Sequence, residues 1–122
     1  MLSREQIFAA PDIKTEKVDV PEWGGHVFVR VMNGYERQAF EEKQQELKLH
    51  SFRERLAVTA ICDESGKLLF TPADVEALRA KSSGVLTRIA DVVLKLNGIG
   101  PSAVEAAEKN SESTRSDSSV SS

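Results

Sequence analysis

Residues 18–37 read VDVPEWGGHVFVRVMNGYER, and the pattern within them decides the fold class. Val27, Val29 and Val31 alternate with His26, Phe28 and Arg30, the two-residue period of a strand with one face toward a core. Upstream, KTEKVDV (14–20) alternates more weakly. Between the two runs, PEWGG has a proline at its start and Gly24 and Gly25 at its end, and glycine admits positive φ without strain. Residues 14–32 are therefore expected to form a β-hairpin with Trp23 at its tip. The strand pattern stops at Asn33, which has Glu36 three residues on. That is the spacing of a capping box, so a helix begins there.

Working outward, YERQAFEEKQQELKL (35–49) is rich in helix formers and sets Tyr35, Phe40, Leu47 and Leu49 loosely on one side. HSFRERLAVTAIC (50–62) admits two readings. Phe52, Leu56 and Ala60, with Ala57 and Ile61 beside them, make a helical stripe; Leu56, Val58 and Ala60 make one face of a strand. The helical stripe is longer, and helix is the preferred reading. CDESGKLLF (62–70) reads as a solvated turn closed by Gly66 and followed by a short apolar stretch. Thr71, Pro72 and Asp74 are a cap, a first-turn proline and a carboxylate at a helix start, with Val75 and Leu78 as the buried side. Ser82 or Ser83 caps GVLTRIADVVLKLNG (84–98), where Val85, Leu86, Ile89, Val92, Val93 and Leu96 recur at helical spacing and Gly98 provides the stop. At the other end, Ser3 with Gln6 caps a short helix that Pro11 terminates. Pro101 opens a further turn or two. From Ser111 the chain reads SESTRSDSSVSS, too poor in apolar residues to offset its ordering entropy.

The expected fold is α+β and mainly helical: an N-terminal hairpin packed on three or four helices, in one domain over residues 1–110, with a flexible Ser-rich tail over 111–122. The 122 residues carry a net charge of −3, with acids and bases interspersed, a balance with no general attraction for nucleic acid or anionic membrane. No stretch approaches the roughly 18 apolar residues of a membrane span. Arg4 and Glu5 interrupt the N-terminus where a signal peptide needs an apolar run. Cys62 has no second cysteine to pair with, which fits a reducing compartment.

No enzymatic constellation assembles in the sequence. His26 and His50 read as surface residues of a strand and a helix, and Cys62 as a buried, inert thiol. DESGKLLFTPAD lacks the acids and the terminal glutamate of a calcium loop. The glycine pairs lack phosphate-loop spacing and its lysine. No catalytic, cofactor or metal residue is assigned. Two features have an interaction character. Trp23 either folds over the hairpin to seal the core edge or stands as an aromatic anchor for a partner. Leu68, Leu69 and Phe70 either pack the helix that follows or present an apolar edge for self-association. Together with Phe28 on the hairpin, these five residues are the candidate interaction surface.

Three stretches taken in order, VPEWGGHVFVRVMNGYER (20–37), AICDESGKLLFTPADVEAL (60–78) and GVLTRIADVVLKLNG (84–98), resemble the tail assembly chaperones of long-tailed (siphovirus-type) bacteriophages. Each motif is by itself a turn or a cap; their order and spacing over about residues 5–110 carry the resemblance. It implies a non-enzymatic protein of the host bacterial cytoplasm. Such a protein binds the tape measure protein, keeps it soluble, promotes tail-tube assembly around it and is absent from the finished virion. It also implies self-association and, in many phages, a longer form made by a −1 frameshift that contacts the major tail (tube) protein. The codons of Glu108, Lys109 and Asn110 permit an A-AAA-AAY slippery heptamer, which makes them the candidate shift region. The alternative reading is a small structural tail or connector subunit retained in the particle.

Overall fold

The computed structural model describes residues 1–100. The turn expected after Pro101, the Ser-rich tail and the Glu108–Asn110 shift region lie outside the described residues. The expected α+β architecture is present. A three-stranded antiparallel sheet in the order β1-β2-β3 packs on a set of helices that supplies most of the ordered chain.

The first helix, α1 (Arg4–Ala9), opens with the expected capping box. Ser3 accepts from the Gln6 amide, and the Gln6 side chain accepts from the Ser3 amide at 2.8 Å. The hairpin follows as β1 (Thr15–Val20) and β2 (Gly25–Arg30), in register from Thr15 with Arg30 to Val20 with Gly25. Its tip is a single 3-10 turn over Pro21–Trp23. Gly24 closes it at φ 81, a left-handed conformation that explains the glycine there. Val18, Val20 and Val29 are buried beneath the sheet, as the alternation requires. The opposite face is less exposed than a simple alternation suggests: Phe28 and Arg30 are half-buried.

Asn33 and Glu36 form the second capping box, and α2 (Gly34–Leu47) runs from it. In the HSFRERLAVTAIC segment the helical reading holds as far as Ala60, and Leu56, Val58 and Ala60 are not a strand face. Residues of α3 (Phe52–Ala60) are helical, and Ile61–Cys62 then form β3, pairing with Val29 and Phe28 of β2. After a turn at residues 63–66, Leu68 bridges back to Cys62. The helix begun by Thr71 is shorter than expected. Thr71–Asp74 form a capping box around a 3-10 turn, and α4 (Val75–Leu78) adds one turn more. The last helix, α5 (Ser83–Leu96), is capped by Ser82. It ends in a Schellman closure. The Ile99 amide donates to the Leu94 carbonyl at 2.8 Å, the Gly98 amide donates to Lys95, and Gly98 sits at φ 68.

The core lies where α5 crosses α3 beneath the sheet. Leu56 from α3, Val85, Leu86, Ile89 and Val93 from α5, Val20 and Val29 from the hairpin, and Ile61 from β3 are all essentially inaccessible. Asn97 fastens the end of α5 to the hairpin exit: its Oδ1 accepts from the Met32 amide at 2.7 Å.

Two further expectations need correction. Tyr35 does not join Phe40 and Leu47 on a common buried side; it is 89% exposed, at the solvent-facing start of α2. His50 likewise lies not on a helix but in the corner between α2 and α3.

Candidate functional site

An apolar groove of about 650 Å³ opens between α2, α3 and the segment that leads into α4. Ala39, Phe40, Lys43 and Leu47 line it from α2, and Arg55, Val58 and Thr59 from α3. Leu68, Phe70, Pro72 and Val75 close the far wall. Its size falls within the range of ligand-binding clefts.

The groove exists because α2 and α3 meet at a tight corner, residues 48–51, in which Lys48 and Ser51 both take positive φ. Arg55 holds that corner. It is 7% exposed, donates Nε to the His50 carbonyl at 3.1 Å and Nη2 to the Lys48 carbonyl at 2.8 Å, and lies over the rings of Phe40 and Phe52. Its Nη1 has no hydrogen-bond partner. Burial pushes the Arg55 pKa down, partly opposed by Glu54. The guanidinium still carries its charge at neutral pH, because arginine is effectively always protonated. The groove thus has a buried cationic donor, Arg55, among its apolar side chains, with the charged Glu36, Lys43 and Glu76 also in its lining.

At the other end, Arg30 of β2 pairs with Glu36 of α2 and donates Nη1 to the Gly66 carbonyl at 3.2 Å. This ties the hairpin exit to both the groove rim and the 63–66 turn. That turn is self-contained. Asp63 accepts from the Ser65 amide, the Ser65 hydroxyl and the Lys67 amide, and these bonds, the hydroxyl first, lower its pKa. It is the solvated turn expected from sequence. Cys62 beside it is buried, and burial raises its thiol pKa.

The five sequence-selected residues do not form one patch. Leu68 and Phe70 line the groove. Leu69, between them, points away and is 55% exposed. Trp23 stands at the hairpin tip, 37% exposed, with the Lys81 ammonium 5.9 Å from its ring centroid, so it has a neighbour and also an open face. Phe28 meets His26 edge to face, at 5.3 Å between ring centroids. Sequence reasoning missed Ala39, Leu47, Arg55, Val58 and Val75 as members of one site. Arg55 left a signal: an arginine set inside the stripe Phe52, Leu56, Ala60 must either find acceptors or distort the helix.

Among the described residues, no three His, Cys, Asp or Glu side chains are grouped as a metal site requires. No helix among them is long and apolar enough to cross a membrane. No family model matches the chain, and no curated protein matches it. Among solved structures, the tail assembly chaperone of bacteriophage HK97 superposes with a TM-score of 0.56 at 24% identity, over 75% of this chain and 90% of that one. The chain therefore shares the fold of a phage tail assembly chaperone.

Proposed function

We propose that this chain is a non-enzymatic tail assembly chaperone. In this reading it holds apolar helical stripes of a tape measure protein in the α2–α3 groove, keeps that protein soluble in the host cytoplasm and releases it as the tube forms. The observation that carries the proposal is the joint one: the fold of a tail assembly chaperone with an open, largely apolar groove at its surface. A tape measure protein is long and helical, and presents many apolar stripes before the tube encloses it. Repeated contacts of modest affinity suit this client, because multiplicity supplies the total while each contact still releases. A longer form shifted near Asn110 would add contact with the tube subunit.

Co-expression with the tape measure protein of the same phage tests the reading. The expected result is a large rise in soluble tape measure protein that co-purifies with this chain, together with absence of the chain from purified virions by mass spectrometry. Stoichiometric retention in the virion would instead mark a structural tail subunit.

A further inference from the structure

Helix α2 is lightly attached for its length. Of its fourteen residues it buries one, Phe40, whose ring meets Phe52 of α3 at 6.0 Å between centroids. The last helix, α5, is as long and buries Val85, Leu86, Ile89, Ala90 and Val93. What orders α2 is mostly internal: the Asn33–Glu36 box, and the pairs Arg37–Glu41, Gln38–Glu42 and Lys43–Glu46 along its length.

The seam beneath α2 also collects polar groups that docking leaves unpaired. Among the described residues, three buried side-chain atoms have no hydrogen-bond partner: Arg30 Nε, Gln44 Oε1 and Arg55 Nη1. Gln44 belongs to α2, Arg30 pairs with Glu36 of α2, and the Arg55 guanidinium lies over the Phe40 ring. None of them lies on α5. Each is cut off from water without a replacement bond, a cost that rehydration removes once α2 leaves. At the end of the helix, Lys48 and Ser51 hold positive φ in a corner, residues 48–51, that has neither glycine nor asparagine. Against these stand the burial of Phe40, the Arg30–Glu36 pair and the Arg55 bonds to the corner. A bond of 3.2 Å from Arg37 Nη1 to the Asn97 carbonyl adds to them.

We propose that α2 is a cover that lifts from the body as one unit, far more readily than the rest of the chain unfolds. Lifting admits a client helix between α2 and the wall of Val58, Leu68 and Phe70. A helix 10–12 Å across takes up about 500 Å³ per turn, so with α2 docked the groove of about 650 Å³ holds little more than one turn. The chain connections at 31–33 and 48–51 are short, so a lifted α2 stays beside the body as the outer wall of a wider groove. The client step rests on the chaperone reading; the lifting belongs to the chain alone.

Native-state hydrogen exchange of the full chain tests the lifting without any client. A lifted helix of this length is marginal in water and exchanges. The interior amides of α2 are expected to exchange as one set, with about a hundredfold or more less protection than those of α5. Their dependence on urea is expected to be weaker, because a local opening exposes little surface. Gln44→Met removes the orphaned oxygen at near-constant length and is expected to slow the whole set by about fivefold or more. Phe40→Ala is expected to speed it by about tenfold or more. Phe8→Glu, at a 74% exposed position of α1, is the control and is expected to leave α2 exchange unchanged. Protection of α2 equal to that of α5, fraying from its ends instead of a common rate, or no slowing in Gln44→Met overturns the proposal. Gln44→Met keeps the test decisive should Phe40→Ala fail to fold. Titration of a tape measure segment reads the client step. Gln44 does not line the groove, yet Gln44→Met is expected to weaken binding by about fivefold, because fewer molecules are open. Unchanged affinity overturns that step, whereas a segment that binds neither protein contradicts the chaperone reading instead.

Discussion

Arg55 donates Nη2 to the carbonyl oxygen of Lys48 at 2.8 Å, and with its bond to His50 this closes the strained corner from which the groove is built. Arg55→Ala removes both charge-assisted bonds and the guanidinium lying over Phe40 and Phe52. The expected loss is about 2–3 kcal/mol, the scale of hydrogen bonds to a buried charged group. Arg55→Lys keeps the charge but not the planar fork, and should recover only part of that loss. Urea denaturation of the three proteins provides the comparison.

A second prediction concerns acid. Arg88 of α5 donates to Glu22 at the hairpin tip, at 3.0 Å through Nη1. That bond, foremost, lowers the Glu22 pKa from 4.5 to about 2. A carboxyl whose folded pKa is depressed binds its proton more readily when unfolded, so its stabilising contribution is complete above the unfolded pKa and lost as pH falls through the folded one. Stability is therefore expected to fall between about pH 4.5 and about pH 2. In Glu22→Gln this component of the acid dependence should vanish, as read from denaturation midpoints across that range. The pair is exposed, so the effect will be small and weakened by salt.

Gly98 tests the helix stop. Its φ of 68 is left-handed, and a Cβ there would meet no atom, so the cost of a side chain is conformational alone. Gly98→Ala is expected to destabilise by about 1–2 kcal/mol, and Gly98→Asn by less, because asparagine tolerates this region. Thermal or urea melts of the two variants would show whether that order holds.

What the sequence makes legible here is whatever is written within a few neighbouring residues. The boxes Ser3–Gln6, Asn33–Glu36 and Thr71–Asp74, the Ser82 cap, the Gly98 stop and the PEWG hairpin tip all stand where their spacing puts them. Features settled by distant packing were not legible. β3 has two residues, too few for any period, and exists because Val29 and Phe28 offer it an edge. Tyr35 stands about 140° around α2 from Phe40, so the side that buries Phe40 leaves Tyr35 in solvent. The groove draws on four segments between residues 36 and 76, and no local pattern reveals that Ala39, Val58 and Val75 line one groove. Leu68 and Phe70 were picked out by their apolarity; the inward turn of those two and the outward turn of Leu69 follow from the Cys62–Leu68 bridge.

The most direct test of the central claim is the soluble yield of tape measure protein co-expressed with the unaltered chain, with Ala39→Glu and with Phe8→Glu. The account predicts high yield with the unaltered chain, near-background yield with Ala39→Glu, and undiminished yield with Phe8→Glu. No rise with the unaltered chain, or equal rescue by Ala39→Glu, would contradict it.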